Sequence, residues 1–192
     1  MSNVKGSVLL SRLDFVREQF GEEGLARLLD ALSEEDRRVT TKLLPAQWYT
    51  FDLGERIDSA VMNVLGKGAA DTFLRLGFQS ADVNLAGVHS VFVHAGDPHG
   101  LLRRAPAIYQ LYYDTGHRTY EQTGENSCRL TTFDSEGFSE ADCYTVIGWH
   151  QRAVEICGGE NVEVDHVRCR ARGDAVCQYE ISWTLPVPRA RA

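Results

Sequence analysis

Two hydrophobic periods divide the chain. Up to about Tyr113 apolar side chains recur every three or four residues, the spacing of amphipathic helices. Past Gly116 alternation at period two, the mark of half-buried strands, takes over and is interrupted by one further helical stretch. Lys5–Leu10 leads into a helix predicted over Ser11–Phe20, with Leu13, Val16 and Phe20 on one face and Gly21 as its stop. Leu25, Leu28, Leu29 and Leu32 mark a second helix over Glu22–Leu32. Ser33-Glu34-Glu35-Asp36 is a capping box that opens a third, predicted to run to about Leu44 before Pro45. After the aromatic cluster Trp48, Tyr49 and Phe51 comes a helix over Asp52–Leu65, with Leu53, Ile57, Ala60, Val61 and Val64 inward and Gly66 ending it. The next is predicted from about Ala69 to His89, where Gly77, Ala81 and Gly87 are small enough to let another element approach closely. Asp97-Pro98 is a helix start, with Asp as N-cap and Pro in the first turn. Pro106 then separates Pro98–Arg104 from an aromatic-rich piece, Pro106–Tyr113.

In the second half Arg118–Thr123 and Ser127–Asp134 read as strands around a Gly124-Glu125-Asn126 turn. A second capping box at Ser139 opens a helix over Glu140–Cys157, closed by Gly158-Gly159, with Cys143, Ile147, His150, Val154 and Cys157 on one face. Within Asn161–Trp183 lie two more strands; Cys177, Tyr179, Ile181 and Trp183 alternate with Gln178, Glu180 and Ser182. The predicted class is α+β: N-terminal helices, then an antiparallel sheet of about four strands in the order strand, strand, helix, strand, strand, with helices covering one face. Residues 1–45 read as a helical extension packed on a main domain over 46–185, and 186–192 as a frayed tail.

The last hairpin carries the most chemistry. If Arg172-Gly173-Asp174 is a three-residue loop, Cys169 and Cys177 stand directly opposite, with Cβ atoms roughly 4.5–5.5 Å apart. Cys143, in the first turn of its helix where the dipole favours a thiolate, supplies a third sulfur. Three thiolates are three ligands of a tetrahedral zinc site; Glu121, Gln122, Asp134, Asp165, His166 and Cys128 are candidates for the fourth. The plainer alternative is that the cysteines are small apolar core residues. His89, His94 and His99 follow one another at intervals of five, which suits neither a helix face nor a strand face as a metal site, and a single axial haem histidine is the remaining role for one of them. Tyr109, Tyr112, Tyr113, Phe133, Trp149 and Tyr179 are predicted to line a pocket for a small apolar or aromatic ligand between sheet and helices.

Composition narrows the partners. With 20 Lys and Arg against 27 Asp and Glu the net charge is −7, which argues against non-specific nucleic-acid binding or an anionic membrane surface. No apolar run is long enough to span a bilayer. The start lacks an apolar signal-peptide region, and five cysteines are an odd number, so a cytoplasmic location with reduced thiols is expected.

The run from Cys143 through Ser182 resembles the 4-vinyl reductase domain family: Cys143 at a helix start, Gly148-Trp149, a strand ending in Cys169, the Gly173-Asp174 turn, then Cys177-Gln178-Tyr179. The likeness covers about Ser139–Trp183. The whole chain is also similar to a bacterial paralogous family of uncharacterised proteins ending in such a domain. The resemblance implies a fold shared with the Bet3-type subunits of the vesicle-tethering complex TRAPP and with haem-based nitric oxide sensors. Sensor domains of aromatic-responsive activators in this family hold a structural zinc with three cysteines and a glutamate. That implies Cys143, Cys169 and Cys177 as zinc ligands here, and a fourth at Glu121, beside Gln122, where equal spacing falls.

Three functions are then expected to compete: a non-enzymatic regulatory module with a ligand pocket and a zinc clip, a dimeric protein–protein interaction scaffold of Bet3 type, and a tetrapyrrole vinyl reductase. Neither a helix-turn-helix nor a P-loop is evident, so a sensor would signal through a partner protein. No nicotinamide or flavin fingerprint supports the reductase.

Overall fold

The computed structural model describes residues 2–65 and 69–186. The predicted stop at Gly66, the side chain of Val64 and the tail beyond Pro186 lie outside the described residues. The predicted α+β class is what the chain forms.

A short strand β1 (Asn3–Lys5) runs directly into α1 (Gly6–Asp30). The helix breaks at Gly21 as expected, because Gly21 takes φ +69° where a helix needs a negative φ, and the two pieces continue one another across that kink. Ser33 caps α2 (Glu34–Thr40), its hydroxyl accepting from the Asp36 N–H at 3.1 Å. That helix ends at Thr40 rather than near Leu44. Trp48 and Tyr49 fall in β2 (Trp48–Thr50), which pairs antiparallel with β1 in a two-stranded ribbon that period reading missed. Three-residue strands are too short to show alternation. Two long helices follow, α3 (Phe51–Leu65) and α4 (Ala69–Ala86), then α5 (Pro98–Leu102) and α6 (Ala105–Tyr112) as separate pieces, with the Asp97 side chain accepting from the Gly100 N–H.

The main sheet contains β3 (His117–Gly124), β4 (Ser127–Phe133), β5 (Glu160–Arg168) and β6 (Cys177–Thr184), in the spatial order β3-β4-β6-β5 and antiparallel throughout. Two hairpins thus lie side by side, with β4 and β6 central. Between them in sequence runs α7 (Glu140–Ile156), capped by Ser139. One side of β6 is buried from Cys177 to Trp183, as the alternation required. It packs with Cys128, Leu130 and α7 residues Cys143 and Val154 in one core cluster.

The most extensive helix pairing is α4 against α7. Two glycines make it possible. A Cβ on Gly77 would overlap the Thr145 carbonyl oxygen, and one on Gly148 the Leu74 carbonyl oxygen, so the backbones cross at a separation only glycine tolerates. A second cluster joins α1, α3 and α4 through Leu9, Val16, Leu28, Ile57 and Phe73. It closes over an ion pair: Arg12, 2% exposed, donates through Nε to Asp58 Oδ1 at 2.6 Å and through Nη2 to Oδ2 at 3.1 Å.

Candidate functional site

The hairpin between β5 and β6 is not closed by three residues. Pairing stops at Arg168↔Gln178, and 169–176 form the connection, which contains a short 3-10 turn over Arg170–Arg172 and Gly173 at φ +97°. Asp174 holds the turn: its carboxylate accepts from the Cys169 N–H at 2.7 Å, and its own N–H donates to the Cys169 carbonyl at 3.0 Å. A bulge between His166 and Arg168 shifts the register by one residue. Continuing that register brings Cys169 across from Cys177, so the expected opposition arises from a bulge rather than from a tight loop.

Cys143, Cys169, Cys177 and His166 present ligand atoms that all lie within 4.8 Å of one another. Cys143 Sγ and Cys169 Sγ are 3.8 Å apart, the edge of a tetrahedron whose centre is about 2.3 Å from each sulfur. The three cysteines are buried and His166 is half-buried. His166 stacks on Tyr179 at 4.3 Å between ring centroids, and its Nε2 is buried without a hydrogen-bond partner among the described residues. An orphaned imidazole nitrogen beside three sulfurs fits a tetrahedral Cys3His donor set for zinc.

Glu121 is not among these groups. It is an exposed residue on edge strand β3, and it accepts from Arg129 Nη1 at 3.0 Å. Equal spacing pointed to β3, but β4 stands between that strand and β6, and Glu121 is in register with Arg129 and Glu180 on the face of the sheet opposite Cys177 and Tyr179; the strand that supplies the fourth donor is β5. His166 was visible as a donor type; no local signal told it from Asp165, and the bulge that aims it is a property of the sheet. The charge also sits elsewhere than the helix dipole implied. A hydrogen bond from Cys143 holds the Cys177 thiol well below its ordinary value, helped against burial by His166 and the Arg170 N–H. That same bond, with burial, pushes Cys143 up.

A second feature is a cavity of about 90 Å³ between α1, α4, α6 and α7. Four of the six residues expected around a ligand pocket, Tyr109, Tyr112, Tyr113 and Trp149, line it. It lies among helices, with Arg118 of β3 reaching in, rather than between helices and sheet. Phe133 is elsewhere, stacked on His117 at 5.2 Å. Tyr179 lines a smaller neighbouring cavity of about 20 Å³, which also touches Cys143, Cys177, Tyr109 and Arg118.

Periodicity did not find the charged groups around the main cavity. Arg12 Nη2 stands 3.5 Å from Asp142 Oδ1, and the Tyr113 hydroxyl donates to that oxygen at 3.0 Å. Burial pushes the Asp142 carboxyl up, against the pull of Arg12. Arg118 lies over the Tyr109 ring at 4.9 Å, donates through Nε to Thr132 Oγ1 at 3.0 Å, and has Nη1 3.2 Å from His150 Nε2. Burial first, and the Arg118 charge second, hold His150 well below its ordinary value, so the ring is neutral. A guanidinium only donates, so Nε2 accepts and Nδ1 carries the hydrogen. That Nδ1 is buried with no partner among the described residues. Of the three histidines in 89–99, His89 bonds to the Tyr112 hydroxyl at 2.8 Å, His99 bonds to Tyr120 and the Glu125 carbonyl, and His94 belongs to neither site.

A family model described as "Protein of unknown function (DUF2378)" matches residues 58–184. No curated protein matches the chain. Among solved structures, the Fe(II) unliganded H-NOX protein from K. algicida superposes with a TM-score of 0.73 at 13% identity, covering 97% of this chain and all of the other. The S. oneidensis H-NOX protein in the Fe(II)NO state gives 0.70 at 19% identity, covering 94% and 99%. Another H-NOX structure, from work on heme distortion, gives 0.71 at 17%, covering 98% and 99%. At these identities the likeness is one of fold.

Haem, which the third of these structures names, does not fit this cavity. The cavity is well below the roughly 300–1,000 Å³ of pockets that hold cofactors. The imidazole in its lining, His150, has no free lone pair, because Nε2 accepts from Arg118 and Nδ1 is protonated. A tetrapyrrole substrate meets the same limit of space in this cavity.

Proposed function

This chain belongs to the DUF2378 family of proteins of unknown function, and we propose that it is a non-enzymatic regulatory module that takes up a small, largely apolar ligand between α1, α4, α6 and α7. The observation that carries this reading is the cavity, walled by Tyr109, Tyr112 and Trp149 and edged by the polar groups of Arg118, Asp142 and His150. An apolar pocket with a few convergent polar groups is the usual form of a small-molecule site. The fold likeness to H-NOX proteins, one of them in an Fe(II)NO state, supports small-ligand sensing as the general role.

In this reading Cys143, His166, Cys169 and Cys177 hold a structural zinc. Zinc there supplies a cross-link and no reactive position, since four protein ligands complete a tetrahedron. Cys143 anchors the start of α7, and the other three anchor β5, its connection and β6. The small cavity beside the cluster shares Arg118 and Tyr109 with the main one, so the clip and the ligand share a wall.

Two measurements on the purified full chain test the reading. Elemental analysis is expected to find one zinc per chain, and Cys169→Ser to lower both metal content and melting temperature. Unchanged content in that variant would sink the clip. A thermal-shift screen of small aromatic and aliphatic compounds is expected to yield stabilising ligands, and the shift should vanish in a cavity-filling Ser80→Trp variant. A screen without one stabilising compound counts against the pocket.

A further inference from the structure

We infer that the ligand of this cavity is an anion, a small carboxylate whose charged end meets Arg118 and His150 and whose apolar body lies against Tyr112 and Trp149. The inference rests on the ligand-binding reading above and names its ligand class.

The argument begins with charge. Four charged side chains surround the cavity region. Arg12 is neutralised by Asp58 through two hydrogen bonds, at 2.6 and 3.1 Å. Asp142 has its own partners, Arg12 at 3.5 Å and the Tyr113 hydroxyl at 3.0 Å. Arg118 lines the same cavity as Asp142 but makes no ion pair with it or with any other described residue, and it is half-buried. A guanidinium taken partly out of water without a carboxylate is costly unless an anion joins it.

Donors tell the same story. Arg118 has five N–H hydrogens; Nε is used by Thr132 and Nη1 by His150, and Nη2 has no partner among the described residues. Its Cζ lies 4.9 Å from the Tyr109 ring centroid, and its Nη2 hydrogens are left to meet a carboxylate, the anion a guanidinium fork recognises. His150 adds an unpartnered Nδ1–H on a side chain only 2% exposed. One buried unpartnered donor, His150 Nδ1–H, and a half-buried guanidinium beside it in the lining of one cavity call for an acceptor. Asp142 is the one acidic group in the lining, and its Oδ1 is already engaged by Arg12 at 3.5 Å and by the Tyr113 hydroxyl at 3.0 Å. The lining also includes the apolar side chains of Ala105, Ile108, Val146 and Trp149, against which the body of the ligand can lie. The small volume limits that body to a few carbons or one ring.

The test compares acids with their neutral isosteres, butyrate with butyramide and benzoate with benzamide. Each is titrated into the full chain in low-salt buffer and followed by amide chemical shifts and tryptophan fluorescence. The expected result is binding of at least one acid, at least tenfold tighter than its amide. Arg118→Gln should remove that preference, and Arg118→Lys should keep part of it. Melting temperatures of both variants are measured first; a folded Arg118→Gln variant that still prefers the acid overturns the inference, and Arg118→Lys carries the test if Arg118→Gln does not fold. Equal binding of acid and amide to the native chain overturns the anion and leaves the pocket reading standing. Binding of neither member of either pair overturns the carboxylate, and the separate screen then decides the pocket.

Discussion

Removing Asp58 isolates the strongest electrostatic element of the helical half. Arg12 and Asp58 come from α1 and α3, 46 residues apart, and their side chains are 3% and 5% exposed. Asp58→Ala deletes two charge-assisted bonds and leaves the guanidinium with the Val8 carbonyl at 3.0 Å and Asp142 at 3.5 Å. Breaking a buried pair from one side costs about 3–5 kcal/mol, and the surviving contact with Asp142 places this case toward the lower end, about 3–4 kcal/mol. With a urea m-value of about 2 kcal/mol/M, the midpoint falls by roughly 1.5–2 M. Arg12→Met combined with Asp58→Leu should cost about 1–2 kcal/mol, less than either single change. No charge is then stranded except Asp142, which can take up a proton and keep its bond to Tyr113. Urea unfolding followed by circular dichroism gives all the values. An Asp58→Ala loss under about 1 kcal/mol, or a double-variant loss equal to the sum of the two singles, would refute the reasoning.

The remaining predictions concern packing, metal and pH. Gly148→Ala drives a methyl group into the Leu74 carbonyl and should destabilise by about 2–3 kcal/mol through separation of α4 and α7; a melting temperature within 2 °C (roughly 1 kcal/mol at this size) would contradict the crossing. Metal removal with a tight chelator should lower the melting temperature of the native chain and leave Cys169→Ser unaffected, both read by scanning fluorimetry. His150 has its folded pKa depressed, so the unfolded chain binds the proton first. Its contribution to stability is complete above about pH 6.5 and is lost as the pH falls below that, at up to about 1.4 kcal/mol per pH unit. Urea midpoints at pH 7.0 and 5.5 should therefore differ more for the native chain than for His150→Asn. Equal differences would remove His150 from the account.

Local chemistry was readable in the residue order. The Cys177–Trp183 alternation, the caps at Ser33, Asp97 and Ser139, and the break at Gly21 all stand in the structure, since each depends on groups within about four residues. From the same local logic came three cysteines with a reason to converge and four aromatic residues of the cavity wall. Tertiary structure decided what pairs across distance. It set the strand order that keeps Glu121 away from the sulfurs, and the bulge that brings His166 to them. It also made Gly77 and Gly148 a helix crossing, and it paired Arg12 with Asp58 while leaving Arg118 with no ion pair among the described residues. None of these has a period or a fixed spacing. They follow from which surfaces meet when the core closes, and the energy of a buried charge depends on neighbours far along the chain, as that of Arg12 depends on Asp58 and Asp142.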